Sequence, residues 1–169
     1  MSLEPPTDLQ TTDIYFRQKN AQEREAALKL RDAVLRLRRD GAFVAVPLHR
    51  VNLDPIGPHP VGSYEIWAPS ETFSSVFSYL ALYRGNLSIL VHPLTRDQRA
   101  DHEIRNAWIG PPFPLDLSTL PIRSEDLPLQ YPTLKLGYSA TTPWSLGEKI
   151  EGILKEDKEA APAPSRESE

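Results

Sequence analysis

Imidazole binds metals and exchanges protons at neutral pH. Three of the four histidines in this chain stand in compact, turn-punctuated phrases: Gly57-Pro58-His59-Pro60, His92-Pro93-Leu94-Thr95 and Asp101-His102. The chain has no cysteine, so histidine and carboxylate are its only strong metal ligands. The fourth histidine, His49, follows Pro47-Leu48 and carries no pattern; it reads as a loop residue. Taken singly, the other candidates also have plain structural readings. A histidine before proline at a strand end is commonly a solvated turn residue. A lone Asp13 is commonly a surface carboxylate, and Asp101 can cap a helix start at Ile104. Whether they do chemistry depends on whether the fold gathers them.

The elements that must do the gathering are legible. Residues 1–11 read as a flexible lead. Asp13-Ile14-Tyr15-Phe16 is β-prone, with Ile14 and Phe16 on one face and Asp13 and Tyr15 on the other. Residues 21–39 form a helix pattern: Ala27, Leu30, Val34 and Leu37 make one apolar stripe, Glu25 and Lys29 can pair one turn apart, and Gly41 is a stop. Residues 42–48 predict a second strand whose Pro47 belongs at an edge. A turn-rich link over 52–60 leads to a third strand at 61–68. Ser70 can cap a second helix over 70–84, with Phe73, Val76, Phe77 and Leu80 inward, and Gly85 ends it. Leu87 to His92 is a fourth strand. Residues 93–140 read as proline-rich loop. Thr142-Pro143 can open a short helix to Lys155, and residues 156–169 read as a disordered tail.

The order is β-α-β, then β-α-β. It predicts an α+β fold, a ferredoxin-like β-α-β-β-α-β sandwich with a proline-rich C-terminal extension. In that topology the first and third strands are central, the fourth flanks the first and the second flanks the third. Asp13 on the first strand, His59 entering the third and His92 ending the fourth then converge on the sheet face away from the helices. That face must be covered by a partner subunit or by the chain's own C-terminal part. Two histidines and one carboxylate with open positions suit non-haem Fe(II) and O2.

Composition narrows the partners. Nineteen Lys and Arg against 23 Asp and Glu leave a net charge of -4, and no phosphate-tracking surface is visible, so nucleic acid is not an expected partner. Cysteine absence excludes disulfides and suits a reducing compartment. The first residues lack the charge and apolar run of a secretory signal, and no apolar stretch approaches membrane-spanning length. The expectation is a cytoplasmic protein with no membrane partner.

Asp54-Pro55-Ile56-Gly57-Pro58-His59-Pro60 runs into a strand. It is followed by Tyr83-Arg84-Gly85-Asn86-Leu87-Ser88-Ile89-Leu90-Val91-His92-Pro93-Leu94-Thr95. Then come Asp101-His102, Ala107-Trp108-Ile109-Gly110 and Pro114-Leu115-Asp116-Leu117. As an ordered set these phrases resemble the DOPA 4,5-dioxygenase family, most of all its fungal members, over residues 12–120. The resemblance implies one small, often dimeric ferredoxin-like domain, a homodimer being the expected assembly, flanked by the lead, a C-terminal extension over 121–155 and the tail. It implies extradiol ring cleavage of a catechol such as DOPA with Fe(II) as cofactor and O2 as co-substrate. On that scheme Asp13, His59 and His92 hold the iron, His102 is the acid–base group, and Tyr15 hydrogen-bonds the substrate or oxygen. Arg96, beside the site in sequence, could pair with a substrate carboxylate, although its plainer reading is a solvated loop charge.

Two positions depart from the family pattern. The family's first strand reads His-Ile/Val-Tyr-Phe, where this chain has Asp13-Ile14-Tyr15-Phe16, and a family glycine after His-Pro-x-Thr is Arg96 here. Asp13 converts three neutral ligands into a two-histidine, one-carboxylate set. The same departures support an alternative: a non-catalytic or diverged paralogue that binds a small molecule or a partner without iron.

Overall fold

The computed structural model describes residues 9–125 and 148–163. Strands are β1 (Leu9–Phe16), β2 (Val46–Pro47), β3 (Gly62–Pro69), β4 (Ser88–Pro93) and β5 (Ala107–Ile109). Helices are α1 (Ala21–Arg39), α2 (Ser70–Tyr83), α3 (Gln98–Glu103) and α4 (Glu148–Leu154), with a 3-10 turn at Leu117–Thr119. The sheet is antiparallel throughout, in the order β2-β3-β1-β4-β5. Its first four strands carry the predicted ferredoxin-like order, and β5 extends the β4 edge.

Strand alternation sorts the side chains onto two faces. Ile14, Phe16, Tyr64, Ile66, Ala68, Ile89 and Val91 pack with Ala27, Leu30 and Val34 of α1 and Val76 and Leu80 of α2 in one buried cluster. Polar tips inside this layer are satisfied: the Tyr64 hydroxyl donates to the Ala27 carbonyl at 2.8 Å, and Thr12 donates to Ile66 at 3.1 Å. Leu80 is fully buried in the layer. Leu80→Ala should therefore cost about 2–5 kcal/mol of stability, read as a lowered urea midpoint at unchanged slope.

Helix α1 has the predicted bounds. Asn20 caps its start by accepting from Gln22 N and Glu23 N, Lys29 pairs with Glu25 at 2.7 Å, and Gly41 ends it at φ +83°. Several expectations need correction. β1 begins at Leu9, inside the stretch read as a lead, because residues 9–11 find ladder partners at Trp67–Pro69. The second strand shrinks to Val46–Pro47, since the proline lacks a ladder donor at what is indeed the sheet edge. Ser70 is the first helical residue of α2 rather than its cap, which is Pro69. Phe77 is 37% exposed, and Thr72 takes an inward position instead, donating to the Val44 carbonyl at 2.9 Å. The loop after His92 contains α3, β5 and the 3-10 turn.

The C-terminal segment is also ordered where a tail was expected. Ile150, Leu154 and Ala160 pack with Val44, Val46 and Trp67. Buried Arg38 donates to Glu151 at 2.8 Å and to the Ala161 carbonyl at 3.0 Å. His49 N donates to the Glu159 carbonyl at 2.8 Å, and Leu48 bridges to Ala160. Residues 157–163 thus lie along the β2 edge, where they blunt an exposed strand. The lead through residue 8, Pro128, Pro132, the Thr142-Pro143 helix start and residues 164–169 lie outside the described residues. Among the described residues, no helix is long and apolar enough to cross a membrane.

Candidate functional site

The face away from α1 and α2 collects the chemistry. The register places Asp13 opposite Glu65 on β3 and Leu90 on β4, and Thr11 opposite Trp67 and His92. Alternation therefore sends Asp13, Tyr15, Glu65 and His92 to one side, as expected for Asp13, Tyr15 and His92. His59 arrives from a tight turn closed by reciprocal backbone bonds between Ile56 and His59, with Gly57 at φ +54°. That φ is the left-handed region where glycine alone is free of a Cβ penalty. The turn is held from the far side by Asp116 N, which donates to the Pro58 carbonyl at 3.0 Å. His102 comes from α3. Its ring centroid lies 4.1 Å from that of His92 and 6.3 Å from that of His59.

Two groups of potential ligands have all their ligand atoms within 4.8 Å of one another: Asp13, His92 and His102, and Asp13, His59 and Glu65. Asp13 is common to both. Of the residues expected from sequence to share a metal, His92 falls in the first group and His59 in the second. Glu65 was not anticipated, although the alternation Ser63, Glu65, Trp67 against Tyr64, Ile66, Ala68 carries the signal. The grouping of His102 with His92 carried no such signal, because it depends on how the chain folds back after β4.

Hydrogen bonds define what each imidazole can offer. His92 Nδ1 bonds the Pro93 carbonyl at 2.8 Å and its Nε2 meets Asp13 Oδ2 at 3.2 Å. His102 Nδ1 bonds the Gln98 carbonyl at 2.9 Å. In both rings a backbone acceptor takes the Nδ1 proton, which fixes the tautomer and turns Nε2 toward the site, as metal-binding histidines are usually held. His59 differs, because its Nδ1 lies 2.7 Å from the Tyr15 hydroxyl. Tyr15 in turn packs with Trp108 at 5.3 Å and stacks with Phe113 at 5.5 Å between centroids. An aromatic wall therefore stands at the His59 end.

Electrostatics follow from burial. Burial alone would raise the Asp13 carboxyl, but the His92 bond and the nearby imidazoles hold it below its ordinary range. Burial works against protonated His92, yet its contacts with Asp13 and Pro93 hold it above the ordinary value. Burial lowers His59 against the pull of Asp13. Burial, reinforced by His92, pushes His102 down to about 4. Burial and the Asp13 charge push Glu65 up to about 7, opposed by the Trp67 Nε1 donor at 3.0 Å. Burial raises the Tyr15 phenol well above its ordinary value. At neutral pH the site thus presents the Asp13 carboxylate, Glu65 near its midpoint, one proton-sharing histidine and two neutral imidazoles.

A buried anion with neutral nitrogen donors around it fits a divalent cation of intermediate hardness. The proton shared by Asp13 and His92 is what ligation would displace. Arg96 lies in the loop after β4, half-buried, with its Nε buried and without a hydrogen-bond partner. Its carbonyl accepts from Ser124 N at 2.7 Å.

Comparison with known proteins gives consistent results. The model of the Dopa 4,5-dioxygenase family matches residues 11–119. A DOPA 4,5-dioxygenase from Amanita muscaria is 64% identical over an alignment covering 99% of this chain and 81% of that protein. An uncharacterized 21.2 kDa protein from Botryotinia fuckeliana is 39% identical, covering 62% of this chain and 59% of that one. The crystal structure of a "putative dioxygenase" from Nostoc punctiforme has a TM-score of 0.58 and 33% identity, covering 67% of this chain and 90% of that chain.

Proposed function

The chain belongs to the Dopa 4,5-dioxygenase family, and from that premise we propose that it cleaves the ring of a catechol such as DOPA in the extradiol manner, using Fe(II) and O2. The single observation that carries this is the Asp13–His92–His102 group, in which a buried carboxylate meets two imidazoles whose Nδ1 atoms are tied to backbone carbonyls. Fe(II) held by these three residues would supply a Lewis-acid template at which catechol and O2 meet and electrons pass from the ring to oxygen. The substrate assignment is supported by the name of the Amanita relative.

In this reading His59 and His102 exchange the roles expected from sequence. The reason is hydrogen bonding: His102 has the held tautomer of a ligand, whereas His59 is paired with a hydroxyl. Ring cleavage needs a group that removes a phenolic proton and later returns one. When His59 Nδ1 donates to the Tyr15 oxygen, Nε2 is a free base. Once Nε2 has taken the phenolic proton the ring is an imidazolium whose Nδ1–H still donates to the Tyr15 oxygen, and its Nε2–H is the acid that returns the proton. The Tyr15–His59 bond therefore supports both halves of the proton transfer without moving either ring. Trp108 and Phe113 hold Tyr15 in place and exclude water from it. Arg96, with its partnerless buried Nε, is suited to the amino-acid carboxylate of DOPA.

The test is anaerobic titration of the metal-free protein with Fe(II), followed by O2 uptake on a panel of catechols. One Fe(II) per chain and uptake with DOPA support the proposal. Failure to bind Fe(II) leaves the diverged paralogue instead.

A further inference from the structure

We propose that Asp101 is the positioning residue that sets His102 against His92, so that the loop after β4 is built around a buried carboxylate whose purpose is metal affinity. The inference rests on His102 being a ligand, as proposed above. Asp101 sits inside α3 and is 1% exposed. Its Oδ2 accepts from Thr95 N at 2.8 Å and from the Thr95 hydroxyl at 2.7 Å, and its Oδ1 accepts from Arg105 at 3.1 Å. The Thr95 hydroxyl also accepts from Asp97 N at 3.0 Å. Asp97 is gripped by Arg105 at 3.2 Å and by Arg123 at 2.7 Å.

A six-residue helix is too short to hold its own shape in water. Arg99 and Gln98 tie α3 to residues 120–124, and this carboxylate ties its middle back to the segment leaving β4. His92 stands three residues before Thr95, and His102 directly follows Asp101. The two histidines are therefore joined by a short path closed by charge-assisted hydrogen bonds, which are stronger than neutral ones. Conversion to the amide removes the charge and turns one of the two acceptor oxygens into a donor, so that Thr95 and Arg105 can no longer both be satisfied and α3 loosens against β4. His102 has no contact with β4 other than its ring against His92 among the interactions above, so its distance from Asp13 would be the first thing to change.

The experiment is a cycle of Asp101→Asn, His102→Ala and the double variant. Fe(II) affinity is measured anaerobically by competition with a chromophoric chelator, and circular dichroism of the metal-free proteins checks the fold. Asp101→Asn should weaken Fe(II) binding about 10–100-fold, the span typical of outer-shell partners. Added to His102→Ala it should cost nothing more, because the residue it positions is gone. An equal loss in both backgrounds would mean general destabilisation and would overturn the inference. Normal affinity in Asp101→Asn beside weakened His102→Ala would overturn it while sparing the ligand assignment. Normal affinity in His102→Ala would sink both. Should Asp101→Asn fail to fold, Thr95→Val keeps the backbone donor to Asp101 while removing the hydroxyl, which donates to Asp101 and accepts from Asp97 N and Arg105, and it enters the same cycle with the same expected pattern at smaller amplitude.

Discussion

Replacing His92 with alanine should leave a folded protein that neither retains iron nor opens a catechol ring. His92 is 3% exposed and sits at the junction of β4 with the open sheet face, its Nε2 against Asp13. Its removal strips a ligand and also deprives the fully buried Asp13 carboxylate of its hydrogen-bond partner, so no ligand remains from β4. The loss of Fe(II) affinity should exceed the roughly 10–100-fold seen for outer-shell changes. It is measured by metal analysis after gel filtration of the loaded protein, with His49→Ala as the control. His49 is an exposed residue far from this face in role, and its variant should bind iron as the parent does. Iron retained at parental affinity in His92→Ala would remove His92 from the metal site.

His59→Ala should give the opposite pattern, with Fe(II) affinity within a few-fold of the parent and turnover lowered about 10²–10⁴-fold, the span of a lost general acid–base group. Tyr15→Phe keeps the ring packed on Trp108 and Phe113 but removes the oxygen bonded to His59. It should lower turnover by less and leave metal binding unchanged, because imidazole keeps some basicity without its partner. Single-turnover rates on anaerobically preloaded protein check both. If His59→Ala loses iron as severely as His92→Ala, then His59 is a ligand, as the sequence reading had it and as the Asp13–His59–Glu65 group allows.

The framework of the site was legible because it depends on periodicity. The stripe Ala27, Leu30, Val34 marks the buried side of α1, and the alternation of Asp13-Ile14-Tyr15-Phe16 places Asp13 and Tyr15 on the face of β1 away from the helices. Topology then brought His92 and Asp13 onto that face. What the sequence did not disclose depends on long-range contacts. Glu65 becomes part of the site only because the register sets it opposite Asp13. The pairing of His102 with His92 depends on α3, a helix too short for a periodic signature and stabilised by Asp101 and Thr95. The segment at 157–163 looked like tail because it is polar and proline-bearing, yet its backbone completes the β2 edge and meets the Arg38 side chain. Local pattern identifies elements, whereas which histidines are suited to hold a metal turns on which ring nitrogens their hydrogen bonds leave free.

The central claim is a dioxygenase at the Asp13–His92–His102 group, and mass spectrometry of the product made under isotopically heavy O2 tests it most directly. Protein loaded anaerobically with Fe(II) and given DOPA and labelled O2 should yield a ring-opened product heavier than DOPA by one whole O2 molecule, with both labelled atoms present when it is trapped before exchange with water. DOPA recovered unchanged would contradict the account, as would a two-electron-oxidised quinone carrying no label with peroxide as the fate of O2.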